Sequence, residues 1–149
     1  MAKNSSHPLL SHADGIATGM SDVLLLVGRV LLAVLFVMTV WTGGPAAAYL
    51  KSLNYPSPDI MSQLAHVVEW VVAISLILGV ATRYGAALGF VFVVIALLTA
   101  HLYWQFPEAA QGLQYVFLSK DLCIAGGLLV LFVTGAGSIS VDNMLASKR

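Results

Sequence analysis

Four long apolar runs set the pattern of this chain. They extend from Val23 to Trp41, from Met61 to Ala81, from Tyr84 to Tyr103 and from about Leu118 to Thr134. Each is close to the ~20 residues that carry an α-helix across ~30 Å of hydrocarbon. Backbone groups in lipid must pair within their own segment, which leaves helices as the open-ended solution. The pattern predicts an all-α, membrane-embedded four-helix bundle over residues 20–142. Only Ala81, Thr82 and Arg83 separate the second run from the third, so those two spans form a tight antiparallel hairpin.

The polar stretches differ in character. Residues 1–19 carry Ser, His, Gly and Pro without apolar period and read as a mobile tail. No apolar core with a cleavage site follows a basic start, so the segment does not read as a signal peptide. Between the first two spans, Gly43, Gly44, Pro45, Pro56 and Pro58 predict a kinked interfacial segment, with a short surface helix from Ala46 to Leu53. From Trp104 to Ser119 the chain reads as a loop broken at Pro107. Gly135, Ala136 and Gly137 end the fourth span, and residues 143–149 form a polar C-terminal tail.

Composition supports lipid as the solvent. Of 149 residues, 59% are hydrophobic and 9% are charged, whereas soluble domains carry about 25% charged residues. A formal net charge of zero gives nucleic acid nothing to bind. The single Cys123 rules out a disulfide or dithiol couple within this chain, and it reads as a small packing residue. The N-terminal tail, Arg83, Lys148 and Arg149 fall on one side, Lys51 and Lys120 on the other. This balance favours both termini in the cytoplasm. The GxxxG step from Gly85 to Gly89, and the pair Gly126 and Gly127, permit close helix approach and with it association of copies. Trp41, Tyr103 and Trp104 fit an interfacial aromatic belt.

Ionisable residues inside the spans carry the functional information, because a charge at bilayer depth pairs or serves a function. Glu69 lies about 12 Å from the outer boundary by helix rise, with His66 one turn above it on the same face. Antiparallel geometry brings His101, Lys120 and Asp121 to the same outer layer. Arg29 enters from the other side, and Glu69 is its expected partner, with snorkelling to the surface as the alternative. Glu69, His66 and His101 are the candidate catalytic, proton-handling groups; Arg29, Lys120 and Asp121 are the candidate ligand-binding groups. The His66-to-Glu69 spacing with His101 is too thin a signal for a metal site, and none is expected.

In order and spacing, these residues resemble the DoxX family of small four-helix membrane proteins. The likeness runs from about Leu24 to Asp142. It rests on Gly28-Arg29, on Glu69, on Leu78-Gly79-Val80-Ala81-Thr82-Arg83 and on His101. It continues through Ser119-Lys120-Asp121-Leu122, Gly126-Gly127 and the closing Gly135-Ala136-Gly137-Ser138-Ile139-Ser140-Val141-Asp142. Two positions depart from the pattern: similar proteins often carry Asn at the place of Asp121 and Gly at the place of Ala73. The resemblance implies a bacterial inner-membrane protein and, from the founding members, a quinone-interacting subunit of a membrane oxidoreductase that works with a second polypeptide. Electrons then come from that partner, since the sequence holds no flavin motif, haem-attachment motif or cysteine pair. A non-catalytic anchor or assembly subunit, and a small-solute channel or carrier, stand as the alternatives.

Overall fold

A computed structural model describes residues 8–42 and 47–148, and the described residues form helices joined by short turns. The elements are α1 (Pro8–Gly19), α2 (Ser21–Trp41), α3 (Ala47–Ser52), α4 (Pro58–Leu78), α5 (Thr82–Ala100), α6 (Glu108–Thr134) and α7 (Val141–Ala146), with a 3₁₀ turn at Tyr103–Gln105. Among them, α2, α4, α5 and α6 are long and apolar enough to cross a membrane. They run alternately up and down. One end of the bundle therefore holds the α4–α5 turn and α7, and the other holds α3 and the α5–α6 connection.

Three sequence expectations shift. Part of the stretch read as an N-terminal tail is helical, at Pro8–Gly19, while residues 1–7 lie outside the described residues. The fourth helix begins at Glu108, ten residues before the expected Leu118. Pro107 is the N-cap of α6 and not a break inside a loop. Proline obstructs a helix behind it but leaves the helix ahead free to start. Helix α7 runs into the expected C-terminal tail as far as Ala146, and its N-cap Ser140 accepts a hydrogen bond from Asn143 N at 3.2 Å. The kink expected at Gly43, Gly44 and Pro45 lies outside the described residues, as does Arg149.

The core is small and made of Ala33, Phe36, Val72, Ala73, Leu76, Ala86 and Leu128, with Ile124 and Leu131 beside them. Ala73 is fully buried. The glycines of the GxxxG step are spent inside the chain. A Cβ on Gly85 would collide with Ser75 Oγ, and one on Gly89 would sit 3.1 Å from Val72 Cγ1. They allow α5 to close on α4, where lipid offers no hydrophobic drive, so this step is not a free face for a second copy. A Cβ on Gly127 would sit 3.0 Å from Leu32 Cδ2 of α2, while Gly126 faces open space.

A polar clamp closes the α7 end. Arg29, 2% exposed, donates from Nη1 to Ala136 O at 2.6 Å and from Nη2 to Ile139 O at 2.9 Å. Asp142 accepts from Ala81 N at 2.7 Å and Thr82 N at 2.9 Å, and its own N–H donates to Gly79 O at 2.9 Å. It thus caps the free amides that begin α5 from sixty residues away. Asp22 accepts from Ser138 N at 2.9 Å. Gly79 is held at φ +66°, and a Cβ there would come within 2.5 Å of Arg29 Nη1. Burial alone would raise the Asp142 carboxyl. The Thr82 and Ala81 amides and the nearby Arg29 charge outweigh it and hold the group below its ordinary value.

Two predictions follow from this packing. Gly85→Ala lowers thermal stability in detergent by ~1–3 kcal/mol, the scale of an overpacked contact, whereas Gly126→Ala leaves it within about 0.5 kcal/mol. Differential scanning fluorimetry of both variants checks the contrast. The second concerns pH. Because folding depresses the Asp142 pKa, its contribution is present above the ordinary value of 3.8 and is lost as pH falls through the lower folded value. The melting temperature of Asp142→Asn therefore lies below that of the unmodified protein at neutral pH, and the gap narrows as the solution is taken below 3.8.

Candidate functional site

A cavity of about 700 Å³ occupies the α3 half of the bundle. Small-molecule pockets span roughly 300–1,000 Å³. Its wall is mostly apolar, from Leu35 and Phe36 on α2, Leu64 and Val68 on α4, and Phe92 and Val93 on α5. Met38, Leu64 and Ile95 line it and are also exposed on the bundle surface, so the cavity opens toward lipid.

Helical spacing places the polar groups. On α4, Met61, Ala65, Val68 and Glu69 recur on one face and all reach the cavity. On α6, Phe117, Lys120 and Asp121 do the same. His101, the residue that ends α5, lies between them. His101 Nδ1 donates to Gln114 Oε1 at 2.9 Å, which turns Nε2 toward Asp121 Oδ2 at 3.9 Å. Lys120 Nζ lies 3.5 Å from Asp121 Oδ1 and 5.2 Å from the centre of the Phe117 ring. The short helix α3 covers this half. Its Leu50 is buried, and Tyr49 donates its hydroxyl to Ala100 O at 2.9 Å. Burial pushes the Tyr49 phenol above its ordinary pKa, so it acts as a neutral donor.

Glu69 stands apart from this network. It is 3% exposed, and its Oε2 has no hydrogen-bond partner among the described residues. A buried polar oxygen without a partner is rare in folded proteins and calls for an explanation.

The structure gathers four of the six candidate residues, Glu69, His101, Lys120 and Asp121, around one cavity. It leaves two outside. His66 is half-buried and donates from Nδ1 to Ser62 O of its own helix at 2.8 Å. Arg29 does not pair with Glu69 among the described residues; it serves the clamp. The physical reason is supply: the turn after α6 presents free carbonyls to Arg29 at its own depth. Lys120 and Asp121 also lie well inside their helix and not at its start, as the sequence suggested. With α6 starting at Glu108, Asp121 is about 20 Å along the helix. Cys123, read as a packing residue, is exposed on the bundle surface. Gln114, Tyr49 and Tyr55 were not singled out by sequence. The signal for Gln114 was its seven-residue spacing from Asp121, two helical turns on one face. Among the described residues no group of three metal-ligating side chains comes together.

Because Arg29 and Glu69 serve separate structures, their substitutions should act independently. Arg29→Gln is expected to cost ~2–4 kcal/mol by removing the hydrogen bonds to the buried Ala136 O and the part-buried Ile139 O. Glu69→Gln is expected to cost little, with the double variant additive to within about 0.5 kcal/mol. Thermal denaturation of the four proteins measures the coupling.

The description DoxX belongs to the family model that this chain matches, over residues 24–102. Among curated proteins, the chain is similar to inner membrane protein YphA of Escherichia coli K12, 32% identical over 128 residues, which cover 81% of this chain and 89% of YphA. It is also similar to inner membrane protein YqjF of the same organism, 32% identical over 133 residues, covering 87% of this chain and 97% of YqjF. No solved structure matches. Arg29, Glu69 and His101 lie inside the matched span; Lys120, Asp121 and the α7 clamp lie beyond it.

Proposed function

This chain belongs to the DoxX family, and from that premise we propose that it is a membrane-embedded binding subunit whose cavity takes a lipid-soluble amphiphile with a small polar head. One observation carries the reading. The cavity is apolar along its wall, opens toward lipid, and holds a single buried carboxyl oxygen without a partner among the described residues. That is the form of a site that strips an amphiphile from the bilayer and fixes its head by a few polar contacts.

A quinone is one such occupant. Its tail would lie along Leu35 and Val68, and its carbonyls would meet donors such as Lys120 and His101. In that case a second polypeptide brings the electrons, and this chain is one part of a membrane oxidoreductase. The proposed location is the bacterial inner membrane, as in the two relatives' names. Both termini face the cytoplasm in this reading, because Arg83 and Lys148 lie at the α7 end and Lys51 lies at the other.

Filling the cavity tests the binding reading whatever the head group. Ala96 lines the wall. Ala96→Phe should keep the protein monodisperse and weaken amphiphile binding by about tenfold or more, the equivalent of ~1.4 kcal/mol. Titration calorimetry in a maltoside detergent, with decylubiquinone and tetraphenylphosphonium as probes, supplies the measurement. Unaltered binding in the variant, or no binding of either probe to the unmodified protein, overturns the reading.

A further inference from the structure

We infer that the occupant of the cavity is a lipophilic organic cation, held by the Glu69 carboxylate among aromatic rings. The inference rests on the binding reading above and narrows it to one class of ligand.

The charges around Glu69 point this way. Arg29 on α2 is engaged with Ala136 and Ile139. His66, one turn away on α4, donates to Ser62 O. On α6, Lys120 pairs with Asp121 at 3.5 Å. His101 at the end of α5 is held between Gln114 and Asp121. Tyr49 of α3 gives its hydroxyl to Ala100 O, and Tyr55 completes the titratable groups on the wall. Each nearby cation already has an acceptor or an acid. Glu69 keeps an oxygen without a partner among the described residues, at a depth where an unpaired carboxylate is costly. A positive head group supplies the missing partner.

The walls decide what kind of cation fits. Phe36, Phe92, Phe117, Tyr49 and Tyr55 contribute rings from four helices and the turn after α3. Ring faces attract organic cations, and the Lys120 ammonium over Phe117 shows one of these rings already in that use. A hard inorganic ion needs a shell of several oxygens, which one carboxyl in an apolar wall does not give. A quinone carbonyl needs a donor and is poorly matched to a carboxylate. An ammonium or phosphonium centre carrying hydrocarbon satisfies both the acid and the walls.

Proton and ligand then compete for the same carboxyl. As pH falls, Glu69 takes up a proton and loses the charge that holds the cation. That change opposes a cation, so binding weakens toward acid.

The test uses the full chain in a nonionic maltoside, with radiolabelled tetraphenylphosphonium and decylubiquinone as separate probes. Measurements run from about pH 8 to about pH 5.5, where histidines and buried carboxyls titrate. Tetraphenylphosphonium should bind and weaken steadily toward acid. Glu69→Gln, which keeps an acceptor oxygen but loses the charge, should weaken it by about tenfold or more and flatten the acid dependence. Glu69→Asp should retain part of the affinity, and it carries the test where the Gln variant is not monodisperse. Equal binding of the cation by Glu69→Gln, or binding that ignores pH in the unmodified protein, overturns the assignment. Binding of decylubiquinone without tetraphenylphosphonium overturns the cation but leaves the binding reading standing. Binding of neither probe overturns both.

Discussion

A guanidinium enclosed by lipid-facing helices must find its acceptors inside the protein, and the architecture follows from where Arg29 finds them. The carbonyls of Ala136 and Ile139 are free because α6 has just ended. By taking them, Arg29 ties the first long helix to the end of the last. Asp142, three residues further on, satisfies the amides that open α5, and its own amide returns to Gly79. Asp22 adds a second tie from α2 to the same turn, at Ser138. The long helices are thus joined at one end by polar groups that would each be costly if left alone. The tight approach of Gly79 to Arg29 shows how little slack the arrangement has.

With that end locked, the other end is free to be hollow. The core residues Leu76, Ala86 and Leu128 fill the space toward the clamp, whereas Glu69, His101 and Asp121 face a void beneath α3. The division separates two jobs that a membrane charge can have. Arg29 and Asp142 are spent on structure, and Glu69 keeps an oxygen without a partner among the described residues.

The helices were legible because hydrocarbon imposes a length and a composition that no local detail can override. The hairpin was equally plain, since so few residues separate two apolar runs, although the turn falls at residues 79–81 and not at the expected residues 81–83. The cluster of Glu69, His101, Lys120 and Asp121 could be read by counting helix rise through antiparallel spans. The pairing of Arg29 could not. Backbone carbonyls have no signature in sequence, so a side-chain acid looked like the better partner. The start of α6 was missed for a related reason: Ala109, Gln111 and Leu113 favour a helix, but they are less apolar than the span and were read as loop. Gln114 and Tyr49 are ordinary residues until folding sets them beside His101 and Ala100.

The clamp also sets an order of events during synthesis. Arg29 is separated from its acceptors by 107 and 110 residues. At ~5–20 residues per second, the first span waits about 5–20 s before those carbonyls exist. Through that interval it holds an unmatched guanidinium in or near the bilayer, where a headgroup, water or insertion machinery must shelter it. Nascent chains cut short before Ala136 never release it. The turn after α6 therefore acts as a checkpoint, because only a chain that has reached it can satisfy Arg29.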